Sequence, residues 1–212
     1  MQRANSALLL LIVIGLVVQT GASCAADPQV NPIASETSTA EPAAEPEPTA
    51  AADEVVEIAP ERWSALKAEI RGKFPNVAQL SVDELKSLLS VETERPLLLD
   101  VREAGEFEVS HLEGARLVID EASALEALGD APLDHKVVLY CSVGYRSSSL
   151  AKKLEARGYT NVFNLEGSIF EWVNRGERVV SETESVKLVH PYDSNWGLLL
   201  RRDYWSPLSE SE

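Results

Sequence analysis

The arrangement of apolar residues from residue 76 onward constrains the fold more than any other feature of the chain. Short apolar runs, rich in Val and Leu, alternate with longer amphipathic stretches. Continuous apolar runs are typical of strands buried on both faces, and their alternation with helices predicts a parallel sheet. We therefore expect an α/β fold with three layers, in which helices flank a central parallel sheet. The predicted strands cover residues 77–80, 97–100, 115–118, 137–140 and 162–164.

Helices are predicted between these strands. Ser81 and Glu84 form the S-x-x-E pattern of a capping box, so the first helix is expected to begin there and to end near Ser90. The whole pattern spans residues 76–178, which is long enough for a single core. Before it, apolar residues at helical spacing predict a helix over residues 62–75 that packs on the domain. The other predicted helices cover residues 103–109, 123–128, 146–157 and 168–175.

Residues 1–24 have the pattern of an export signal. Arg3 supplies a positive charge, an apolar run of twelve residues follows, and small residues precede Cys24. Such a run is too short to cross a bilayer, which takes about 20 residues in a helix. Signal peptidase could cleave near Cys24. Alternatively, residues 21–24 resemble a bacterial lipobox, in which case Cys24 carries lipid and attaches the protein to a membrane. Both outcomes predict a periplasmic or cell-surface protein; an uncleaved anchor is the third alternative.

An acidic segment follows the signal. Residues 25–61 carry nine acidic residues and no Lys or Arg, with six Pro among Ala, Ser and Thr. This composition offers too little apolar surface to offset the entropy of ordering, so we expect a disordered linker. Such a linker suits a domain held away from a membrane by a lipid on Cys24, although a disordered tail without a role has the same composition.

Charge and residue counts exclude several classes of function. The formal net charge is −15 and no run of Lys or Arg is present, so we expect no nucleic-acid partner. With 2 Cys, the chain has neither a disulfide framework nor a cysteine zinc cluster. The 3 His lack i,i+4 pairing, and no phosphate loop or dinucleotide pattern occurs, so we expect no metal and no cofactor.

Cys141 stands where reactive residues stand in open α/β sheets. It directly follows the predicted strand over residues 137–140, and a helix is predicted from Arg146. Ligands bind at the carboxyl ends of such strands, and the N-terminus of a helix favours a thiolate over a thiol. Gly144 permits a tight turn between the two elements. We therefore expect Cys141 to be a nucleophile; the alternative is a small buried apolar residue.

At these residues the chain resembles the rhodanese-like sulfurtransferase family. Residues 141–147, CSVGYRS, match the family's C-x-x-G-x-R-[ST] loop, and residues 100–107 match its D-V-R-x-x-x-E-[FY] segment. Residues 110–115 match its G-H-I-x-G-A turn, with Ser110 in place of Gly. The resemblance covers about half the chain and implies the rhodanese fold with Cys141 as the catalytic residue. It also implies substrate-binding residues Ser142, Val143, Gly144, Tyr145, Arg146, Ser147 and Arg102, with Asp100 and His111 as structural residues near the site.

The same resemblance implies a mechanism. Cys141 would take the outer sulfur of a donor, thiosulfate or a persulfide, and pass it from a Cys141 persulfide to a thiol or to cyanide. Arg146 would face an anionic donor or pair with an acid such as Glu103 or Glu166, and both roles stay open. Arg102 is expected to be mainly structural. The alternative function is a binding or redox-sensing module that keeps the fold and Cys141 but turns over no substrate.

Two further features bear on the substrate. Phosphatases related by fold use the pattern C-x5-R, which places Arg six residues after Cys. Arg146 is only five residues after Cys141, and this shorter spacing argues against phosphate chemistry. Ser142 and Val143 bring no charge to the loop, so a persulfide is as compatible a donor as thiosulfate. Residues 179–212 form an aromatic extension, which we expect to pack on the domain as a lid or strap. The alternatives are a partner-docking surface or a wall of the substrate cleft.

Overall fold

The computed structural model describes residues 60–182 and 184–208, except for the side chain of Glu94. The predicted signal segment with Cys24 lies outside these residues, as does the predicted linker up to residue 59. No helix in the described part of the chain is long and apolar enough to cross a membrane.

The central sheet has five strands: β1 (Ala78–Leu80), β2 (Leu97–Asp100), β3 (Arg116–Leu117), β4 (Val137–Tyr140) and β5 (Val162–Leu165). Their order in the sheet is β1-β5-β4-β2-β3. Every neighbouring pair is parallel, as the continuous apolar runs predicted. β4 lies at the centre and pairs with β2 on one side and β5 on the other.

Helices flank this sheet in the described residues: α1 (Pro60–Lys73), α2 (Val82–Ser90), α3 (Ala104–Val109), α4 (Glu121–Leu128), α5 (Tyr145–Ala156) and α6 (Ser168–Asn174). The predicted capping box is present at the start of α2. The Glu84 N–H donates to Ser81 Oγ at 3.3 Å, and the Ser81 N–H donates to the Glu84 carboxylate at 2.8 Å. Each partner therefore satisfies one N–H group that the helix leaves unpaired.

The side chains of β4 alternate between two apolar cores, one on each face of the sheet. Val138 and Tyr140 belong to the core that includes residues of α2 and α6. Val137 and Leu139 belong to the core that includes residues of α1, α4 and α5. All four side chains are fully buried, which accounts for the apolar character of every position in the strand. The chain thus has the predicted three-layer α/β fold.

Element boundaries differ from the sequence prediction by one or two residues, and the differences at α4, α1 and β3 have a physical reason. Helix α4 begins at Glu121 because Asp120 caps it, its carboxylate accepting the Ser123 N–H at 2.8 Å. Helix α1 begins at Pro60, inside the predicted linker, since the fixed φ and missing N–H of proline suit the first helical position. Strand β3 has only two residues, paired with β2 at the edge of the sheet.

The C-terminal extension packs on the domain as a strap. Its hairpin pairs with the domain through Val180 and His111. Further along, Leu199 and Leu200 are buried in the core that holds α2 and α6. These apolar residues explain why the extension is part of the folded unit. Its elements are β6 (Val179–Ser181), β7 (Glu184–Val186) and 3-10 helices at Trp196–Leu199 and Arg202–Tyr204.

Candidate active site

Cys141 lies at the carboxyl edge of the sheet, directly after the central strand β4. The chain leaves β2 toward β3 on one side and leaves β4 toward β5 on the other. The strand order therefore reverses between β2 and β4, and α/β proteins bind ligands in the crevice at such a point. Cys141 is 1% exposed, so its sulfur lies deep in this crevice.

The start of helix α6 holds the carbonyl side of the loop that begins at Cys141. The N–H groups of Ile169 and Phe170 donate to the carbonyls of Cys141 and Ser142, at 3.1 and 3.2 Å. The Ser168 hydroxyl also accepts the Cys141 N–H at 3.2 Å. The bonds from Ile169 and Phe170 use N–H groups that the helix cannot satisfy internally. With two carbonyls held by α6, the next N–H groups of the loop are free to turn toward the sulfur.

The turn into helix α5 directs donors at Cys141 Sγ. The Gly144 N–H donates to this sulfur at 3.2 Å, and the Ser147 hydroxyl lies 3.5 Å from it. Gly144 has a φ of +112°, and a Cβ there would lie 3.2 Å from Asn164 Nδ2. Both facts require glycine at this position. The Asn164 side chain also accepts a hydrogen bond from Ser147 Oγ at 2.6 Å, which holds that hydroxyl beside the sulfur.

These groups favour the thiolate form of Cys141. Burial on its own raises the pKa of the thiol, but the charge of Arg146 and the hydrogen bonds from Ser147 and Gly144 outweigh it. The pKa of Cys141 therefore lies below the ordinary cysteine value. A cysteine in this state is a nucleophile at a lower pH than an exposed thiol.

An ion pair braces the loop on its other side. Arg146 donates to both carboxylate oxygens of Glu106, at 2.7 and 2.8 Å, and to Ser142 Oγ at 3.0 Å. Glu106 is 3% exposed and also accepts the Glu103 N–H at 3.0 Å. Burial raises the pKa of Glu106, but the pair with Arg146 outweighs it and holds that pKa below its usual value. The acid that pairs with Arg146 is therefore Glu106, and neither Glu103 nor Glu166.

A cavity of about 180 Å³ opens at the loop. Two aromatic residues of the C-terminal extension, Tyr192 and Trp196, form part of its lining. The extension is therefore a strap and also a wall of the cleft. Gly144 and Ser147 contact the sulfur and do not line the cavity. The lining residues predicted from the sequence are Cys141, Ser142, Val143, Tyr145 and Arg146.

Arg102 does not have the substrate-binding position that the resemblance implied. Its side chain is fully buried and pairs with Asp100, with Nη2 2.7 Å from Oδ2. It also donates to the Ser110 carbonyl at 2.6 Å. This residue does not line the cavity, because its guanidinium faces the end of β2 and the turn that precedes β3. These are the contacts of a structural residue, so the structural role expected from the sequence stays the prediction for Arg102.

His111 also has the contacts of a structural residue. Its Nδ1 lies 3.0 Å from the Phe107 carbonyl oxygen, and its ring stacks on that of Phe107 with centroids 3.8 Å apart. Its backbone pairs with Val180, and its ring does not line the cavity at Cys141. Among the residues that the structure describes, no three His, Cys, Asp or Glu side chains form a group that could hold a metal ion.

Four residues of the site were not selected from the sequence: Glu106, Asn164, Tyr192 and Trp196. Glu106 carried a signal, because it is the acid of the D-V-R-x-x-x-E segment. The position of Asn164 is also informative, since a polar residue within an apolar strand is expected to have a buried hydrogen-bond partner. A wall of the substrate cleft was one alternative for the extension, but only its folded path shows that Tyr192 and Trp196 are the residues that reach the cavity.

Replacing Arg146 with Gln is expected to raise the pKa of the Cys141 thiol, because the variant loses the positive charge that stabilises the thiolate. The rate of alkylation by iodoacetamide, measured against pH on the full chain, should move to higher pH. At a pH below both midpoints the rate should fall about tenfold for each unit by which the midpoint rises. Arg146→Lys retains the positive charge, so its alkylation profile should lie between those of the wild type and Arg146→Gln.

Arg157→Gln is the matched control for this experiment, because Arg157 is an exposed cation at the opposite end of α5 that pairs with Glu121. Its alkylation profile should equal that of the wild type. An unchanged midpoint in folded Arg146→Gln protein, verified by circular dichroism, would contradict the role given to the Arg146 charge.

The chain matches proteins of known sequence and structure along its folded part. A family model for the rhodanese-like domain matches residues 81–175. Thiosulfate sulfurtransferase GlpE of Actinobacillus succinogenes is 34% identical over 86 residues, which cover 41% of this chain and 77% of GlpE. The probable adenylyltransferase/sulfurtransferase MoeZ of Mycobacterium tuberculosis is 32% identical over 79 residues, covering 37% of this chain but only 20% of MoeZ. The structure of the human single-domain sulfurtransferase TSTD1 is 26% identical, with a TM-score of 0.40 over 47% of this chain and 98% of that one.

Proposed function

This chain belongs to the rhodanese-like family, and on that premise we propose that it is a sulfurtransferase. It moves a sulfane sulfur from a small donor, thiosulfate or a persulfide, to a thiol or to cyanide through a persulfide on Cys141. The observation that carries the proposal is the set of groups directed at Cys141 Sγ: the Gly144 N–H, the Ser147 hydroxyl and the charge of Arg146. The relatives named as sulfurtransferases support the same class of reaction.

In the first half-reaction, the Cys141 thiolate attacks the outer sulfur of the donor. A new S–S bond forms on Cys141, and the bond between the outer sulfur and the rest of the donor breaks. The bonding electron pair leaves with sulfite when the donor is thiosulfate, or with a thiolate when it is an organic persulfide. The lowered pKa of Cys141 increases the fraction of the attacking thiolate at a given pH.

In the second half-reaction, the acceptor attacks the terminal sulfur of the Cys141 persulfide, and the Cys141 thiolate leaves. A low thiol pKa also favours this step, because a more stable thiolate is a better leaving group. The N–H groups of the first turn of α5 have no acceptor within the helix, and we expect them to stabilise the terminal sulfur, which carries negative charge. From the sequence of residues 1–24, we propose that the reaction takes place after export.

The proposal predicts ping-pong kinetics for the full chain, because donor and acceptor use the same sulfur atom of Cys141 in turn. Initial rates of thiocyanate formation, with the donor varied at several fixed cyanide concentrations, should give parallel double-reciprocal lines. Thiosulfate and a low-molecular-weight persulfide serve as the two donors. A low-molecular-weight thiol can replace cyanide as the acceptor, and sulfide release is then measured in place of thiocyanate.

Intersecting lines would contradict a persulfide intermediate, since they indicate that donor and acceptor bind together. If the protein binds a donor but shows no turnover with any of the acceptors, the non-catalytic binding or sensing module would be favoured.

A further inference from the structure

The C-terminal strap presents two of its aromatic residues, Tyr192 and Trp196, to the cavity from a fixed position. Asn174 in α6 donates to the Leu199 carbonyl at 2.8 Å and accepts the Arg201 N–H at 2.9 Å. The Asp193 carboxylate accepts the N–H groups of Asn195 and Trp196, both at 2.8 Å. These bonds, together with the buried Leu199, hold the turn that carries Tyr192 and Trp196. The wall of the cavity is therefore part of the folded strap.

The lining of the cavity is mainly apolar. Val143, Tyr145, Tyr192 and Trp196 line it, beside Ser142, Arg146 and Cys141. The Tyr192 ring lies 4.9 Å from the Arg146 guanidinium, so it covers one face of the cation that lines the cavity. Two partly exposed aromatic rings at the mouth of a catalytic cavity are suited to contact an apolar group of a substrate.

The charges at the cavity disfavour a dianion. The charge of Arg146 is shared between the bidentate pair with Glu106 and the Cys141 thiolate. One positive charge therefore faces two negative charges before any donor enters. A doubly charged donor loses its hydration on entry without gaining an unpaired cation, which costs free energy. A donor with one charge and an apolar body avoids most of that cost.

The volume of the cavity admits such a body. An apolar cavity of about 150 Å³ is large enough to hold a benzene ring. The cavity at Cys141 measures about 180 Å³. It therefore has room for a ring-sized organic group beside the sulfane sulfur.

We propose that Tyr192 and Trp196 make the site selective for donors whose sulfane sulfur is attached to an apolar organic group, and against thiosulfate. This inference rests on the sulfurtransferase function proposed above and names its substrate class. The organic group lies against the two rings while the sulfane sulfur faces Cys141. With an organic thiosulfonate, the thiolate of Cys141 bonds to the sulfane sulfur, the S–S bond of the donor breaks, and a sulfinate leaves with the electron pair.

The test compares three donors on the full chain, with cyanide as the acceptor. Thiosulfate has two charges and no apolar group, methanethiosulfonate has one charge and a methyl group, and benzenethiosulfonate has one charge and a ring. We expect kcat/KM to rise in that order, with benzenethiosulfonate at least about tenfold above methanethiosulfonate, since the contact with two aromatic rings distinguishes them.

Variants assign the preference to the wall. Tyr192→Ala and Trp196→Ala should each lower the ratio of kcat/KM for benzenethiosulfonate to kcat/KM for methanethiosulfonate by about threefold to tenfold. Tyr192→Phe and Trp196→Phe should retain most of the preference. Leu198→Ala is the matched control, because Leu198 is 55% exposed in the same 3-10 helix and does not line the cavity. Thermal unfolding shows that each variant is folded.

The outcomes separate the inference from the function on which it rests. Cys141-dependent turnover with thiosulfate equal to or above both thiosulfonates overturns the substrate class and leaves the sulfurtransferase intact. An unchanged donor preference in folded Tyr192→Ala and Trp196→Ala proteins overturns the role of the wall. Absence of turnover with all three donors and with a low-molecular-weight persulfide overturns both proposals.

Discussion

Replacing Cys141 with Ser is expected to abolish sulfur transfer, lowering turnover by at least about a thousandfold. A serine hydroxyl has no accessible anion at neutral pH and cannot carry the sulfur as a persulfide. The substitution exchanges one atom at a buried position, so the fold and the donors at the loop should persist. Turnover of the full chain is measured with a sulfane donor and cyanide, beside a circular dichroism spectrum of the variant.

Cys24→Ser is the matched control for this loss, because it makes the same exchange at the other cysteine of the chain. Its turnover should equal that of the wild type. If folded Cys141→Ser protein kept a tenth of the wild-type turnover, the sulfur would have to travel by another route, and the persulfide mechanism would be wrong.

Replacing Arg102 with Met is expected to lower the free energy of unfolding by about 3–5 kcal/mol, the usual cost of leaving one partner of a buried ion pair without the other. The side chains of Arg102 and Asp100 are both 0% exposed, so water cannot replace the lost partner. The variant also loses the bond to the Ser110 carbonyl that joins β2 to the following turn. Urea denaturation followed by circular dichroism measures the change.

Arg157→Met controls for the substitution itself, since Arg157 forms an exposed pair with Glu121 in which the arginine side chain is 58% exposed. Loss of an exposed pair should cost less than about 1 kcal/mol. The double variant Asp100→Leu/Arg102→Met should recover much of the lost stability, because an apolar pair carries no uncompensated charge. An Arg102→Met variant as stable as Arg157→Met would show that the buried pair contributes nothing to the fold.

Much of the fold could be predicted because it depends on local patterns. The residues of β4 are apolar at every position since the strand contacts a core on each face, and a continuous run of this kind is visible in sequence. The capping box at Ser81 and Glu84 is equally local. The start of α4 differs from the predicted start by two residues, because the boundary depends on one side chain, that of Asp120, which caps the helix.

The site could be predicted only where its residues are neighbours in sequence. Cys141, Gly144 and Arg146 belong to one loop, and their order already indicated a nucleophile beside a helix N-terminus. The acid that pairs with Arg146 could not be identified from the sequence. Glu106 lies forty residues upstream and reaches the loop only through the packing of α3. Tyr192 and Trp196 depend in the same way on the path of the strap.

The central claim is that Cys141 itself carries the sulfur between donor and acceptor, and peptide mass spectrometry of the full chain tests it most directly. After brief incubation with a sulfane donor and trapping of persulfides by alkylation, the peptide that contains Cys141 should gain one sulfur atom. Addition of cyanide before trapping should remove that sulfur as fast as the enzyme turns over. Added sulfur found on another residue, or a Cys141 persulfide that cyanide removes more slowly than turnover, would contradict the account.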